Sequence, residues 1–94
     1  MTDFEAPQVW LAPMSGATDA PMRRQAVRFG APAVVSEMVA SETLASERPD
    51  MVRRTCRHEG AGYWIVQLAA RRPADMYTGA ALMRDAGVDV IDIN

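Results

Sequence analysis

Four short apolar stretches recur along this chain, at residues 9–12, 33–38, 63–68 and 88–94, with helix-patterned segments between them. No other feature restricts the fold as much. Strand–helix–strand repeats with tight connections call for parallel strands joined by right-handed crossovers. The first helix is entered through Thr18 or Asp19, either of which can cap free N–H groups, with Pro21 in its first turn. Met22, Ala26 and Phe29 form one apolar stripe there, opposite Arg23, Arg24 and Arg28, and Gly30 ends the helix. Ser41 is placed to cap a second helix through Leu44 and Ala45 to Glu47; Pro49 interrupts it, and residues 50–57 resume as a helical turn or two. Gly60, Ala61 and Gly62 read as a loop. Pro73 opens a third helix, with Met76, Ala80 and Met83 on one face and Gly87 closing it.

Two architectures satisfy that order: a doubly wound open sheet and a (β/α)8 barrel. A doubly wound nucleotide-binding sheet wants a glycine-rich phosphate turn after its first strand. Here the turn reads Pro13-Met14-Ser15-Gly16-Ala17-Thr18, without the G-x-G-x-x-G pattern. The barrel is favoured. A whole barrel takes about 250 residues, so 94 residues with four strands correspond to half of one. The expected fold is α/β, a partial (β/α)8 TIM barrel of four parallel strands with intervening helices, residues 1–94 forming the N-terminal part of an incomplete barrel domain. Such a half leaves strand edges open and Val9, Leu11, Ile65 and Val90 facing no opposite wall. The chain alone is therefore expected to be marginally stable or to self-associate.

Composition narrows the function classes. A hydrophobic share of 49% suits a packed core, and no apolar run approaches the roughly 18 residues of a membrane span. The N-terminus, Met1-Thr2-Asp3-Phe4-Glu5, is acidic and unlike a signal peptide, so a cytoplasmic setting without membrane contact is expected. Cys56 and His58 each stand alone, which argues against a disulfide framework and against a metal site. Cys56 lies between the second and third strands and is expected away from the strand ends, as a structural thiol. All ten basic residues are arginine, so no residue here can supply an amine nucleophile. The net charge of −2 does not mark a nucleic-acid binder, and the arginine pairs read as solvated helix faces.

Polar residues at strand ends point to a site. Glu37, Gln67 and Asn94 each lie at or next to the C-terminal end of an apolar strand, and in a parallel barrel those ends converge on one mouth. Amides suit a ligand that offers donors and acceptors along one edge, such as a flavin ring or a pyrimidine base. The first strand ends at Pro13, beside a turn with Gly16, where main chain can come close to a flat ligand.

Leu11-Ala12-Pro13-Met14-Ser15-Gly16-Ala17-Thr18-Asp19, Ser36-Glu37-Met38-Val39, Val66-Gln67-Leu68 and Ile91-Asp92-Ile93-Asn94 together resemble the N-terminal half of the tRNA-dihydrouridine synthases, particularly their bacterial B-type branch. The resemblance runs from about Val9 to Asn94, with four motifs in order and at fitting spacings. It implies an FMN-dependent (β/α)8 barrel followed by a helical tRNA-binding domain. In that family NADPH reduces FMN, which passes hydride to C6 of a uridine flipped from tRNA, while a cysteine protonates C5. It further implies that Pro13, Met14 and Ser15 lie along the flavin, that Gln67 bonds its polar edge, and that Asn94 helps hold the uracil. Glu37 is implied as support for the mouth of the site.

Three departures accompany the resemblance. Ser15 stands where many relatives have alanine. Arg71-Arg72 stands where relatives often have Ser-Asp, which removes a helix cap worth about 1 kcal/mol and sets two positive charges at the rim, suited to RNA phosphate. The chain stops at Asn94, the first residue of the family's Asn-x-Gly-Cys-Pro motif, so the catalytic cysteine is expected just after Asn94 and no catalytic residue is assigned within residues 1–94. On that reading the chain is a fragment that does not reduce uridine alone. The alternatives are another FMN barrel oxidoreductase, acting on a small molecule such as dihydroorotate or an enone, and a non-catalytic fragment.

Overall fold

The computed structural model describes residues 9–58, 60 and 62–94, so the acidic start of the chain and Ala61 of the expected loop lie outside the described residues. The elements run α1 (Ala20–Arg28), β1 (Ala33–Val35), β2 (Val39–Ala40), α2 (Ser41–Ala45), α3 (Pro49–Thr55), β3 (Tyr63–Ala69), α4 (Pro73–Ala86) and β4 (Val90–Ile93). Among the described residues all strand pairing is parallel. β1 and β2 lie along one edge of β3, with Ala33 opposite Tyr63 and Val39 opposite Leu68, and β4 lies along the other, with Gln67 opposite Asp92. Leu11 bridges Val34 outside β1. Neighbours therefore follow chain order, with no switch of direction in the sheet.

Side-chain alternation sorts the sheet into two faces. Val39, Val66 and Leu68 pack with Leu44 of α2, Met51 of α3 and Met83 of α4, and Trp64, Met76, Ala80, Val88 and Ile91 complete that layer. On the other face Ala33, Val35 and Ile65 cluster with Trp10, Tyr63 and Val90, none of them from a helix. The expected apolar face of α4 is the one that packs, and Gly87 ends α4 in the left-handed conformation at φ 96°. Ile65, expected to face no wall, is instead fully buried, in a cluster against which Trp10, Tyr63 and Val90 pack.

The first two strands depart from expectation. Among the described residues Leu11 carries the ladder contact of residues 9–12, donating to the Ala33 carbonyl (2.8 Å) and accepting from Val35 N–H (3.3 Å), and Pro13 brings no N–H to extend it. Residues 33–38 do not form one strand. Three residues, 36–38, stand between the paired Val35 and Val39, against two between Ile65 and Leu68, so one extra residue bulges out. Ser36 makes the bulge: its N–H still donates to Ile65 O (3.0 Å), while its Oγ accepts from Gln67 N–H (3.1 Å) where a strand carbonyl would stand. The inserted residue flips the alternation. Val35 faces the helix-free cluster and Val39 faces the helices.

Of the two capping residues expected for α1, Asp19 serves, its Oδ1 accepting from Met22 N–H at 2.9 Å. Two helix expectations are corrected. The stripe of Met22, Ala26 and Phe29 is not the packed face: Phe29 is 90% exposed, whereas Arg23 is fully buried. Ser41 does not cap α2; Ala40 holds the cap position, and Ser41 is the first helical residue, buried under α4. Residues 50–57 do resume as a helix, α3, which starts one residue earlier at Pro49.

Candidate functional site

β3 and β4 end together, and their polar residues meet there. Asp92 stands opposite Gln67 in the ladder, so both side chains leave the sheet on the helix-free face, one step beyond Ile65 and Val90. Gln67 Nε2 donates to Asp92 Oδ2 at 2.8 Å, and Gln67 Oε1 accepts from Asn94 Nδ2 at 3.4 Å. A carboxylate only accepts, so Asp92 decides which way round the Gln67 amide lies. Asn94 is held by its own backbone, whose N–H donates to Leu68 O at 2.9 Å, and by a contact from Nδ2 to Met38 Sδ at 3.0 Å. The cluster is half-exposed and presents an ordered edge of amide and carboxylate atoms.

The second component is the turn at residues 13–18. Thr18 is fully buried and staples it: Thr18 N–H and Oγ1 both donate to Met14 O (3.0 and 3.3 Å), and Oγ1 accepts from Met14 N–H (3.0 Å). Gly16 takes φ +78°, where a side chain would be strained, and its N–H donates to Glu37 Oε1 at 2.6 Å. Ala17 N–H is also taken by Met14 O (3.0 Å). Among the described residues the Ser15 N–H has no protein acceptor, and Met14 and Ser15 are exposed while Pro13 is half-buried. The turn thus offers one free donor and a rigid main-chain surface.

Gln67 and Asn94 are joined directly. Pro13, Met14 and Ser15 make no hydrogen bond to them; the link runs through the bulge, where Glu37 holds Gly16 and the adjacent Ser36 holds Gln67 N–H. Glu37 therefore ties the turn to the bulge. Glu37→Ala should speed amide hydrogen exchange at Gly16 at least tenfold, since a hydrogen bond to a charged group is worth about 1.5–3 kcal/mol. Glu37→Gln, which keeps an oxygen in place, should largely preserve protection.

Beside the turn opens a cleft of about 480 Å³, lined by Gly16, Asp19, Pro21, Glu37, Arg54 and Cys56 among others. Cys56 is exposed there, because α3 ends against the start of α1. The arginines are not uniformly solvated either. Arg23 is buried, Arg54 Nη1 donates to Met38 O at 3.2 Å, and Arg57 stacks over Trp64 with its guanidinium carbon 5.8 Å from the ring centre. Arg72 holds the cap position of α4 without a side-chain cap and turns to Asp75 instead (3.0 Å).

Sequence reasoning did not single out Asp92, Ser36, Thr18 or Arg23 as members of the site. Asp92 carried a signal, being two residues before Asn94 and so on its face. Arg23 carried none that one helix could show, because two of its three partners lie at the end of α3.

The family model for dihydrouridine synthase (Dus) matches residues 10–94. The chain belongs to the dihydrouridine synthase family. Its Dus relatives include a probable tRNA-dihydrouridine synthase of Rhodobacter capsulatus, 46% identical over 94% of this chain and 28% of that protein. A probable tRNA-dihydrouridine synthase of Rhizobium leguminosarum bv. phaseoli is 47% identical over 93% of this chain and 27% of its own length. The tRNA-dihydrouridine synthase B of Pasteurella multocida is 34% identical over 93% and 26%. The chain thus spans little more than a quarter of the length of these Dus proteins. No solved structure matches it.

Proposed function

We propose that this chain supplies part of the flavin site of a (β/α)8 barrel that reduces uridine in tRNA to dihydrouridine with FMN and NADPH. Chain-order parallel strands, with α2, α3 and α4 on one face, support the barrel, since a doubly wound sheet carries helices on both faces. The observation that carries the site is the Asp92–Gln67–Asn94 cluster, at adjacent strand ends and on the helix-free face. Ser15 N–H, the main chain of Pro13 and Met14, and the oriented amide of Gln67 fit a flat ring with a polar edge. Asn94, whose Nδ2 meets Gln67 Oε1, suits the uracil edge as an amide that both donates and accepts. Bound there, FMN would supply hydride transfer; the residues of this chain bind and orient. No residue here is assigned as the proton donor, which the family resemblance puts just after Asn94.

Arg71 and Arg72, both exposed, suit phosphate contact at the rim, with tRNA as the partner class. No helix of the described residues is long and apolar enough to cross a membrane. The open edge of β4, where Ile93 is 69% exposed, suits pairing with a further strand or with a second copy.

Titration of FMN fluorescence with the purified chain tests this reading. The expected result is saturable quenching, weakened about tenfold by Gln67→Leu, the equivalent of one lost hydrogen bond at ~1.4 kcal/mol. A folded chain that leaves FMN fluorescence unchanged at millimolar concentration would overturn it.

A further inference from the structure

Arg23 is an anomaly that the flavin reading does not use. Its side chain is fully buried in α1, and it donates from Nε to Thr18 O (3.1 Å), from Nη1 to Cys56 O (3.0 Å) and from Nη2 to Arg54 O (3.3 Å). No carboxylate is hydrogen-bonded to it among the described residues. Burying a cation is costly unless it is well bonded. Here the compensation is backbone: Arg54 and Cys56 sit at the C-terminal end of α3, where carbonyls lack helical partners and the helix dipole is negative. The negative ends of Asp19 and Glu37 lie close enough to favour the charge, although burial still holds the guanidinium below its usual range.

The bonding has a direction. Thr18, whose carbonyl Arg23 grips, is the residue that staples Met14 at both N–H and carbonyl. At the other end, Arg54 reaches from α3 to Met38 O, and Met38 Sδ touches Asn94. One buried guanidinium therefore stands between the turn and the helix that braces the β4 end.

We propose that Arg23 is a positioning residue: anchored on the end of α3, it sets through Thr18 the main-chain position of Met14 and Ser15 that the ligand meets. This rests on the reading of residues 13–15 as the flavin surface, so the test separates the two. Amide hydrogen exchange is followed by NMR in the 94-residue chain and in Arg23→Met, alongside FMN titration. The expected result is exchange at Met14, Gly16 and Thr18 faster by tenfold or more, with Val66 and Leu68 of β3 unchanged, and FMN binding weakened about tenfold. Thr18→Val, which cuts the staple and leaves Arg23 in place, should speed Met14 in the same way. Arg23→Lys keeps the charge but cannot span the same three carbonyls, and should fall between. Turn amides that exchange as in the parent chain would overturn the proposal, as would equal acceleration in turn and β3, which marks a role in stability alone. If Arg23→Met does not fold, the same two patterns in Arg23→Lys decide. If the parent chain binds no FMN, the flavin reading fails while the exchange pattern still decides the role of Arg23.

Discussion

Gly79→Ala is expected to destabilise the chain by about 2 kcal/mol, against the rule that alanine in a helix interior gains up to about 1 kcal/mol over glycine. Gly79 lies within α4 in ordinary helical geometry, so backbone strain plays no part. A Cβ there would stand 2.5 Å from Ser41 Oγ, 2.7 Å from Ser41 Cβ and 3.3 Å from Ser41 Cα. The hydroxyl could rotate away, but the Cβ and Cα cannot, so α2 and α4 would have to separate. That separation would open the layer that packs Leu44 and Met83 on the sheet. Chemical denaturation of the two chains gives the sign directly. Ser41→Gly in the same background removes the two shortest contacts and should recover most of the loss, and the double-mutant cycle should show coupling above 1 kcal/mol. Because Ser41 Oγ is buried with no hydrogen-bond partner among the described residues, its removal leaves no protein group unsatisfied. An alanine that stabilises, or a double variant that merely adds the two effects, would mean that the helices do not approach this closely.

Ser36→Ala is expected to cost about 1–3 kcal/mol, the penalty of leaving a buried donor unmade. The hydroxyl donates to Glu37 O at 2.9 Å and accepts from Gln67 N–H at 3.1 Å, and Ser36 itself is fully buried. Without it the Gln67 N–H faces the bulge with no acceptor. Two outcomes follow: lower stability by denaturant titration, and faster amide exchange at Gln67 than at Val66. Ser36→Thr, which keeps the oxygen, should restore the exchange protection even where its extra methyl group crowds the site. Unchanged protection at Gln67 in Ser36→Ala would show that another group fills the gap in the ladder. Since Gln67 and Glu37 flank this hydroxyl, the same substitution should weaken FMN binding with no loss of any atom proposed to touch the ligand.

Much of the fold was legible in the order of residues. The apolar runs at 63–68 and 88–94, Pro73 at the start of α4 and Gly87 past its end are local matters, decided by backbone chemistry within a few residues, and the structure forms β3, β4 and α4 there. Gln67 and Asn94 were legible for the same reason, since a polar side chain ending an apolar strand is visible without knowing its neighbours, and the two do meet. The resemblance of the four motifs to the dihydrouridine synthases needed no coordinates either.

What the sequence could not decide was pairing across long separations. The bulge at Ser36 exists only because β1 and β2 share one partner, β3, and only that partner's register reveals the extra residue. The exposed stripe on α1 misled because helix amphipathicity says which face is apolar, not which face the neighbours cover. The turn before α1 and the end of α3 claim Arg23 by offering it three carbonyls, and Phe29 is left outside. Local order set the elements and named two residues of the candidate site; tertiary contact alone chose the partners that hold them still. Backbone propensity acts within a turn, whereas a buried charge or an unmade strand bond is satisfied by whichever distant group the fold brings within about 3 Å.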